Sequence, residues 1–246
     1  MITHAHPSAG DTRPHIEHGA AHSPGHTAAT VSIVNTTPEH VRALEKLQQI
    51  VFPTLAPEEL FSAQKYLKHV ELFPEGQFTA IAHVGGRDIV VGATSTFRTD
   101  FDFDDIEHTY IEAIAGGWLT NHDPHGAWLY GVDVSVHPQF RGMKIARKFY
   151  EARRDLVIRL NMRGEIAGAL LPGYALHSEH LSIAQYTLHV KQGRLQDPTL
   201  SVQLKMGFEV RGILYDHISD PRSDNAAALI VRENPHYRAA GIARPA

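Results

Sequence analysis

A glycine turn surrounded by basic residues is the part of the sequence best suited to bind an anion. Gly142 lies between an apolar run that ends at Val136 and a helical pattern that begins a few residues later. The basic side chains around it are Arg141, Lys144, Arg147 and Lys148. A helix N-terminus attracts anions through its free N–H groups and its dipole, and glycine lets the backbone approach closely. The sequence therefore predicts a phosphate-bearing ligand at this turn.

The segments on either side of the turn have the patterns of a strand and a helix. Valines at 132, 134 and 136 alternate with Asp133 and Ser135, as in a strand with two different faces. After the turn, apolar residues at spacings of three or four predict a long helix with one buried stripe, namely Ile145, Phe149, Ala152, Leu156 and Leu160. Residues 165–171 then have the composition of a buried strand. A strand, a helix and a strand in this order predict a parallel pair joined by a right-handed crossover.

The remaining patterns predict one domain with a mixed sheet. Before the turn they indicate a strand at Thr30–Asn35, two helices and a hairpin around Gly85 and Gly86. After the crossover they indicate a helix with a capping box at Ser182 and Gln185, a short helix and two closing strands. The predicted fold class is α+β or α/β, with a mixed, mostly antiparallel sheet, one parallel βαβ crossover and flanking helices.

The domain prediction covers residues 30–232, with insertions at about 100–127 and 172–197. Residues 1–29 are predicted to be a disordered, histidine-rich tail. A weak metal-binding arm is the alternative, but the histidine spacings match no closed zinc motif, so we predict no metal site. Residues 233–246 are predicted to be a C-terminal tail.

Composition favours an ordinary soluble protein. The chain has 246 residues, of which 43% are hydrophobic and 20% charged, and it has no cysteine. It contains no apolar run of membrane-spanning length and no hydrophobic leader. Its net charge of −4 argues against a general nucleic-acid binder. We therefore expect a cytoplasmic protein that binds neither membranes nor nucleic acids.

Residues 139–144 (QFRGMK) resemble the pyrophosphate loop of the GCN5-related N-acetyltransferase (GNAT) family, Q/R-x-x-G-x-G/A. Lys144 stands where that family usually has glycine or alanine. The two other common phosphate motifs, GxxxxGK[ST] and GxGxxG, do not occur at this turn. The predicted element order over roughly residues 30–232 is also similar to that family. Stretches such as LYGVDVSVHPQFRG and AGALLPGY are most similar to acetyltransferase-like domains that occur fused to carbon–nitrogen hydrolases.

The resemblance implies a GNAT fold with acetyl-CoA as co-substrate. In that family the loop binds the pyrophosphate, and the preceding strand pairs with the pantetheine arm. The cofactor residues that it implies here are Val134, Ser135, Val136, Arg141, Gly142, Met143, Lys144, Ile145, Ala146 and Arg147.

The activity implied is direct acetyl transfer from acetyl-CoA to a primary amine, on a small molecule or a lysine-type side chain. A catalytically silent CoA-binding module, with a regulatory or partner-binding role, is the alternative, and a homodimer is left open. The backbone N–H near Val134 is the expected oxyanion partner.

At the positions of the family's usual catalytic side chains, this sequence has other residue types. The family's base is often a glutamate early on the strand, and Tyr130 occupies that position here. Asp133 is the nearest carboxylate, but strict alternation places it on the face opposite Val132 and Val134, so catalytic and structural roles both stay open. The family's acid is often a tyrosine, and Gln203 stands in its place. Tyr174 and His177 are the substitutes that we predict.

Overall fold

The computed structural model describes residues 30–53, 55, 57 and 59–239, so the predicted tail at 1–29 lies outside the described residues. The strands are β1 (Thr30–Asn35), β2 (Phe78–Val84), β3 (Arg87–Thr94), β4 (Thr96–Thr99), β5 (Trp128–Gly131), β6 (Ser135–Val136), β7 (Gly164–Leu170), β8 (Glu209–Leu214) and β9 (Ala227–Glu233). The helices are α1 (Val41–Val51), α2 (Ala63–Leu72), α3 (Tyr110–Ala113), α4 (Ile145–Arg159), α5 (Ile183–Lys191) and α6 (Leu200–Lys205).

The strands form two sheets that share bent strands. One sheet has the order β1-β2-β3-β6 and the other β4-β5-β7-β9-β8. β3 continues into β4 across Ser95, and β5 leads to β6 across residues 132–134, so both chain segments contribute to both sheets. β5 and β7 are parallel, and all the other paired strands are antiparallel. The predicted mixed sheet with one parallel crossover is confirmed.

The helices α1 and α4 cover opposite faces of the two joined sheets, because each of them has one apolar stripe. On one face, the buried Leu44 and Leu47 of α1 belong to a core cluster with Phe97 and Tyr130. On the other face, Phe149 of α4 and its stripe neighbours pack against β2, β3 and β5. The segment 128–136 therefore runs between two apolar layers, which fixes its position.

One helix is shorter than predicted, and one predicted helix cap is confirmed. Ile106, Tyr110 and Ile114 recur at helical spacing and predict a longer helix that stops at Gly116 and Gly117, but α3 is a single turn. It begins with a capping box formed by Thr109 and Glu112, and it ends because Ala115 and Gly116 adopt left-handed backbone angles. The predicted capping box of α5 is confirmed, since Ser182 Oγ accepts a hydrogen bond from the Gln185 N–H at 3.2 Å.

The packed chain continues beyond β9. The Asn234 side chain is buried and donates a hydrogen bond to the Met162 carbonyl at 2.8 Å, and its N–H donates to the Arg163 carbonyl at 2.8 Å. Among the residues that the structure describes, no helix has the length and apolar character needed to cross a membrane.

Candidate active site

A gap opens between two neighbouring strands at the centre of the molecule. β5 pairs with β7 only from Trp128↔Gly164 to Tyr130↔Ile166. Beyond that point the segment 132–136 turns towards β3, while the end of β7 stays with β9. Parallel strands that separate in this way leave both facing edges without partners. An extended ligand with amide groups could pair with them as an added strand would.

The register of β6 shows which backbone groups face this gap. Ser135 lies opposite Ala93, and the His137 N–H donates to the Val91 carbonyl at 2.8 Å. Because alternate residues of an antiparallel strand point to the same neighbour, Ser135 and His137 point towards β3. The backbone groups of Val134 and Val136 therefore point the opposite way, into the gap. The family resemblance implies these residues as the cofactor-pairing strand, and this role stays a prediction.

The N-terminus of α4 lies at the end of this gap. The N–H groups of its first turn, from Ile145, Ala146 and Arg147, have no partner within the helix, and no side chain caps them. Gly142 and Lys144 both have left-handed backbone angles, with φ values of 83° and 60°. Loop and helix N-terminus together form a largely exposed surface with N–H donors, which suits a pyrophosphate.

The backbone angles favour a second alignment of the same loop motif. Arg141 then takes its first position, Lys144 takes the place of its first glycine, and Ala146 takes its final small position. A left-handed conformation at Lys144 fits this alignment, because glycine adopts that conformation without strain. Lys144 is thus unusual at this position in two ways, because it is charged and because it is a non-glycine residue with left-handed backbone angles.

The basic residues around the turn do not all face the predicted anion site. Lys148 Nζ donates a hydrogen bond to the Val31 carbonyl at 2.5 Å, and Arg147 Nε pairs with Glu151 at 2.8 Å. Arg141 and Lys144 are exposed and form no ion pair with any described residue. These two side chains are therefore the ones available to a bound phosphate.

Asp133 lies at the inner end of the gap and is held by four polar groups or charges. Its Oδ1 accepts from the Ser95 N–H at 2.8 Å, and its Oδ2 accepts from Ser135 Oγ at 2.9 Å and Gln48 Nε2 at 3.0 Å. Desolvation by burial raises the pKa of Asp133, although these hydrogen bonds and the Arg153 guanidinium oppose the shift. A carboxylate with a raised pKa is a better proton acceptor.

The prediction that side chains alternate strictly between two faces along residues 128–136 is wrong. Tyr130 and Val132 pack with the α1 cluster, whereas Val134 and Val136 pack with the α4 cluster. The cause is the interruption at residues 132–134, where the chain leaves one sheet and joins the other. This break changes the phase of the side chains, and it brings Asp133 into the same cavity as Val132 and Val134.

The gap widens into a cavity of about 170 Å³ below the strand edges. Its walls come from several elements: Gln48, Phe52, Leu55, Tyr110, Gly131, Val132, Asp133, Val134, Tyr150, Arg153, Ala167, Gly168, Leu170, Thr199, Gln203, His217 and Ile218. Tyr110 comes from the predicted insertion at 100–127. No residue of the insertion at 172–197 is among these lining residues.

Sequence reasoning missed a buried cation in this wall. Arg153 forms an ion pair with Glu165, which also pairs with Arg232 Nη2 at 2.5 Å. Gly131 leaves room for it, since a Cβ there would lie 1.4 Å from Arg153 Nη2. The spacing from Phe149 and Leu156 does place Arg153 on the buried stripe of α4, and this is the signal that could have identified it.

Two tyrosines belong to the cavity wall, Tyr110 and Tyr150. Gln203 Nε2 donates to Tyr150 Oη at 3.1 Å, and Gln203 Oε1 is buried without a hydrogen-bond partner among the described residues. Tyr150 packs with Val134 and Ala146, on the side of the gap that continues from the helix N-terminus. Tyr110 packs with Val132 on the other side.

Tyr174 and His177 are not brought into this cavity. The Tyr174 hydroxyl donates to the Leu181 carbonyl at 3.0 Å, and its ring packs against Tyr186 in a buried cluster. His177 lies beside the same Tyr186 ring, with 5.4 Å between ring centroids. Of the three predicted catalytic side chains, only Asp133 lines the cavity. The part of the chain that the structure describes contains no group of three or more potential metal ligands.

Comparison with known structures shows a shared fold. The GNATL loading domain of CurA from Lyngbya majuscula superposes with a TM-score of 0.69 at 17% identity, over 83% of this chain and 98% of that domain. A GNAT-like decarboxylase, GphF, in complex with isobutyryl-CoA superposes with a TM-score of 0.63 at 21% identity, over 82% of this chain and 98% of that chain.

Two proteins of Bacillus subtilis (strain 168) are similar in sequence, while no family model matches the chain. The probable hydrolase YhcX is 34% identical over 202 residues, but these cover 82% of this chain and only 38% of YhcX. The uncharacterized N-acetyltransferase YkwB is 30% identical over 217 residues, which cover 88% of this chain and 94% of YkwB. On this near full-length similarity and the shared fold, the chain belongs to the GCN5-related N-acetyltransferase family, the acyltransferases that use acetyl-CoA as co-substrate.

Proposed function

We propose that the chain transfers the acetyl group of acetyl-CoA directly to a primary amine. The observation that carries this proposal is the gap itself, because the free strand edge of Val134 and Val136 connects the α4 N-terminus with the cavity that contains Asp133. The pyrophosphate would bind the loop, and the pantetheine amides would pair with the strand edge. The thioester would then lie near the Val134 N–H, which supports its carbonyl oxygen.

In the proposed reaction the neutral amine nitrogen attacks the thioester carbon. A C–N bond forms, the C–S bond breaks, and the amine proton passes to the Asp133 carboxylate. An alkylammonium has a pKa near 10.4, so its deprotonation at neutral pH is unfavourable by roughly 4–5 kcal/mol. The raised pKa of Asp133 makes this transfer less unfavourable.

The leaving thiolate needs a proton, and we assign its donor as Tyr150. This hydroxyl lies on the side of the cavity that continues from the α4 N-terminus, together with Val134 and Ala146. Burial raises the pKa of Tyr150, so it stays protonated at neutral pH, while the Arg153 charge and the Gln203 hydrogen bond favour its ionised form when the proton leaves. Tyr174 and His177 stay predictions without this support.

The test is release of free CoA thiol from acetyl-CoA in the presence of butylamine, spermidine, an aminoglycoside, free amino acids or a lysine peptide. We expect release with at least one amine, and a fall of about 10²-fold or more in kcat for Asp133→Asn. CoA affinity should be unchanged in that variant. CoA binding without thiol release from any amine would indicate the silent CoA-binding module instead.

A further inference from the structure

His217 places an unused hydrogen-bond acceptor in the cavity. It lies in the loop after β8, and it is 3% exposed. Its Nδ1 is 2.8 Å from the carbonyl oxygen of His108. Since a carbonyl oxygen can only accept, Nδ1 carries the hydrogen and Nε2 carries the lone pair. None of the described residues donates a hydrogen bond to Nε2.

His217 Nε2 lies against Gly168, near the end of β7. A Cβ on Gly168 would lie 2.6 Å from His217 Nε2, so the imidazole fills the space that a side chain at 168 would occupy. Gly168, His217 and Asp133 all line the same cavity. Burial lowers the pKa of His217 to about 4, and the imidazole is therefore neutral at physiological pH. Its Nε2 is an acceptor throughout that range.

The lining of this cavity thus includes two acceptor groups, the Asp133 carboxylate and the His217 imidazole. A neutral primary amine directs its lone pair at the thioester carbon and still carries two hydrogens, each of which needs an acceptor once water is excluded. One of them faces the base, Asp133, in the proposed reaction. We propose that His217 Nε2 accepts the second N–H of the attacking amine, which makes the enzyme selective for primary over secondary amines.

This inference rests on the proposed acetyl transfer and adds the feature that selects its substrate. A secondary amine has carbon in place of one hydrogen, so it leaves Nε2 unpaired and brings a methyl group or larger against it. An unpaired buried polar group lowers affinity by about tenfold or more. The expected result is a preference of at least about tenfold in kcat/KM for butylamine over N-methylbutylamine.

Two substitutions separate the functions of the two ring nitrogens. His217→Asn keeps a donor near Nδ1 for the His108 carbonyl but has no group at Nε2, whereas His217→Gln carries an amide group near the Nε2 position. We expect His217→Asn to raise KM for butylamine and abolish the preference, with KM for acetyl-CoA unchanged. His217→Gln should retain most of the preference.

The outcomes distinguish this inference from the function on which it rests. Wild-type transfer to both amines at similar rates would overturn the inference alone, and so would a full preference in His217→Asn. Absence of transfer to every amine tested would overturn the proposed function and the inference with it. If His217→Asn fails to fold, the ratio of kcat/KM for butylamine to that for N-methylbutylamine still tests the inference in the wild type and in His217→Gln.

Discussion

The position and chemical properties of single residues at this site depend on the groups that contact them more than on the residue type. Asp133 is positioned by Ser95, Ser135 and Gln48, and the Tyr150 hydroxyl by Gln203. Apart from the Ser135 contact, whose partner is two residues away, these contacts are not visible in the local sequence, because the partners are separated by about forty residues or more. Asp133 could be predicted as a candidate because it lies beside the loop motif. His217 could not be separated from the other histidines of the chain.

At the residue scale we predict that Tyr150→Phe lowers kcat by about 10²-fold or more, because it removes the proposed proton donor to the thiolate. KM for acetyl-CoA should change little, since the aromatic ring and its packing remain. Steady-state thiol release gives both constants.

Tyr186→Phe is the matched control for this substitution. Its hydroxyl is also buried and hydrogen-bonded, to Asp197 at 2.9 Å, but it is not part of the cavity wall. This variant should lose stability and keep kcat. Equal kcat losses in both variants would show that the Tyr150 effect is structural.

At the scale of elements, the loop–helix unit could be predicted almost completely from sequence. The β-branched strand, the glycine turn and the apolar stripe of α4 are local patterns, and local patterns determine local structure well. The interruption at 132–134 could not be predicted in this way. It arises because one chain segment pairs with β7 at its start and with β3 at its end. The same competition between pairing with β7 and pairing with β3 opens the gap between β6 and β7.

The left-handed backbone at Lys144 gives a prediction for this unit. Lys144→Gly should raise the free energy of unfolding by about 1 kcal/mol, because glycine adopts that conformation without a Cβ clash. Urea unfolding measures the change. Lys144→Ala removes the same charge but keeps the Cβ, so it should show no gain. Equal stability of the two variants would contradict the backbone assignment.

At the scale of the whole molecule, the order of elements and the mixed sheet could be predicted, but the buried polar groups could not. His69 is an example, since it lies on a helix face among apolar residues. Its Nε2 donates to the Gly117 carbonyl at 2.8 Å, and burial lowers the pKa of His69 to about 4. The folded protein therefore keeps His69 neutral in a pH range where the unfolded chain binds a proton.

The sign of the resulting pH dependence follows from linkage. Between the ordinary value of 6.5 and the folded value of about 4, the unfolded state binds more protons, so stability falls as the pH is lowered through this range. Each such histidine contributes a slope of up to about 1.4 kcal/mol per pH unit. His69→Gln keeps an N–H donor and does not titrate, so its slope should be shallower. Urea unfolding at about pH 7, 6 and 5 measures it, and an unchanged slope would contradict the buried neutral state.

The central claim is that acetyl-CoA lies in the gap between β6 and β7, with its pyrophosphate on the N-terminus of α4. Amide hydrogen exchange with and without CoA tests it most directly, because none of the described residues accepts a hydrogen bond from these edge and helix N–H groups. We predict that CoA slows exchange at Val134 and Val136 and in the first turn of α4, with β8 unchanged. CoA binding that leaves the Val134 and Val136 amides unprotected would contradict the account.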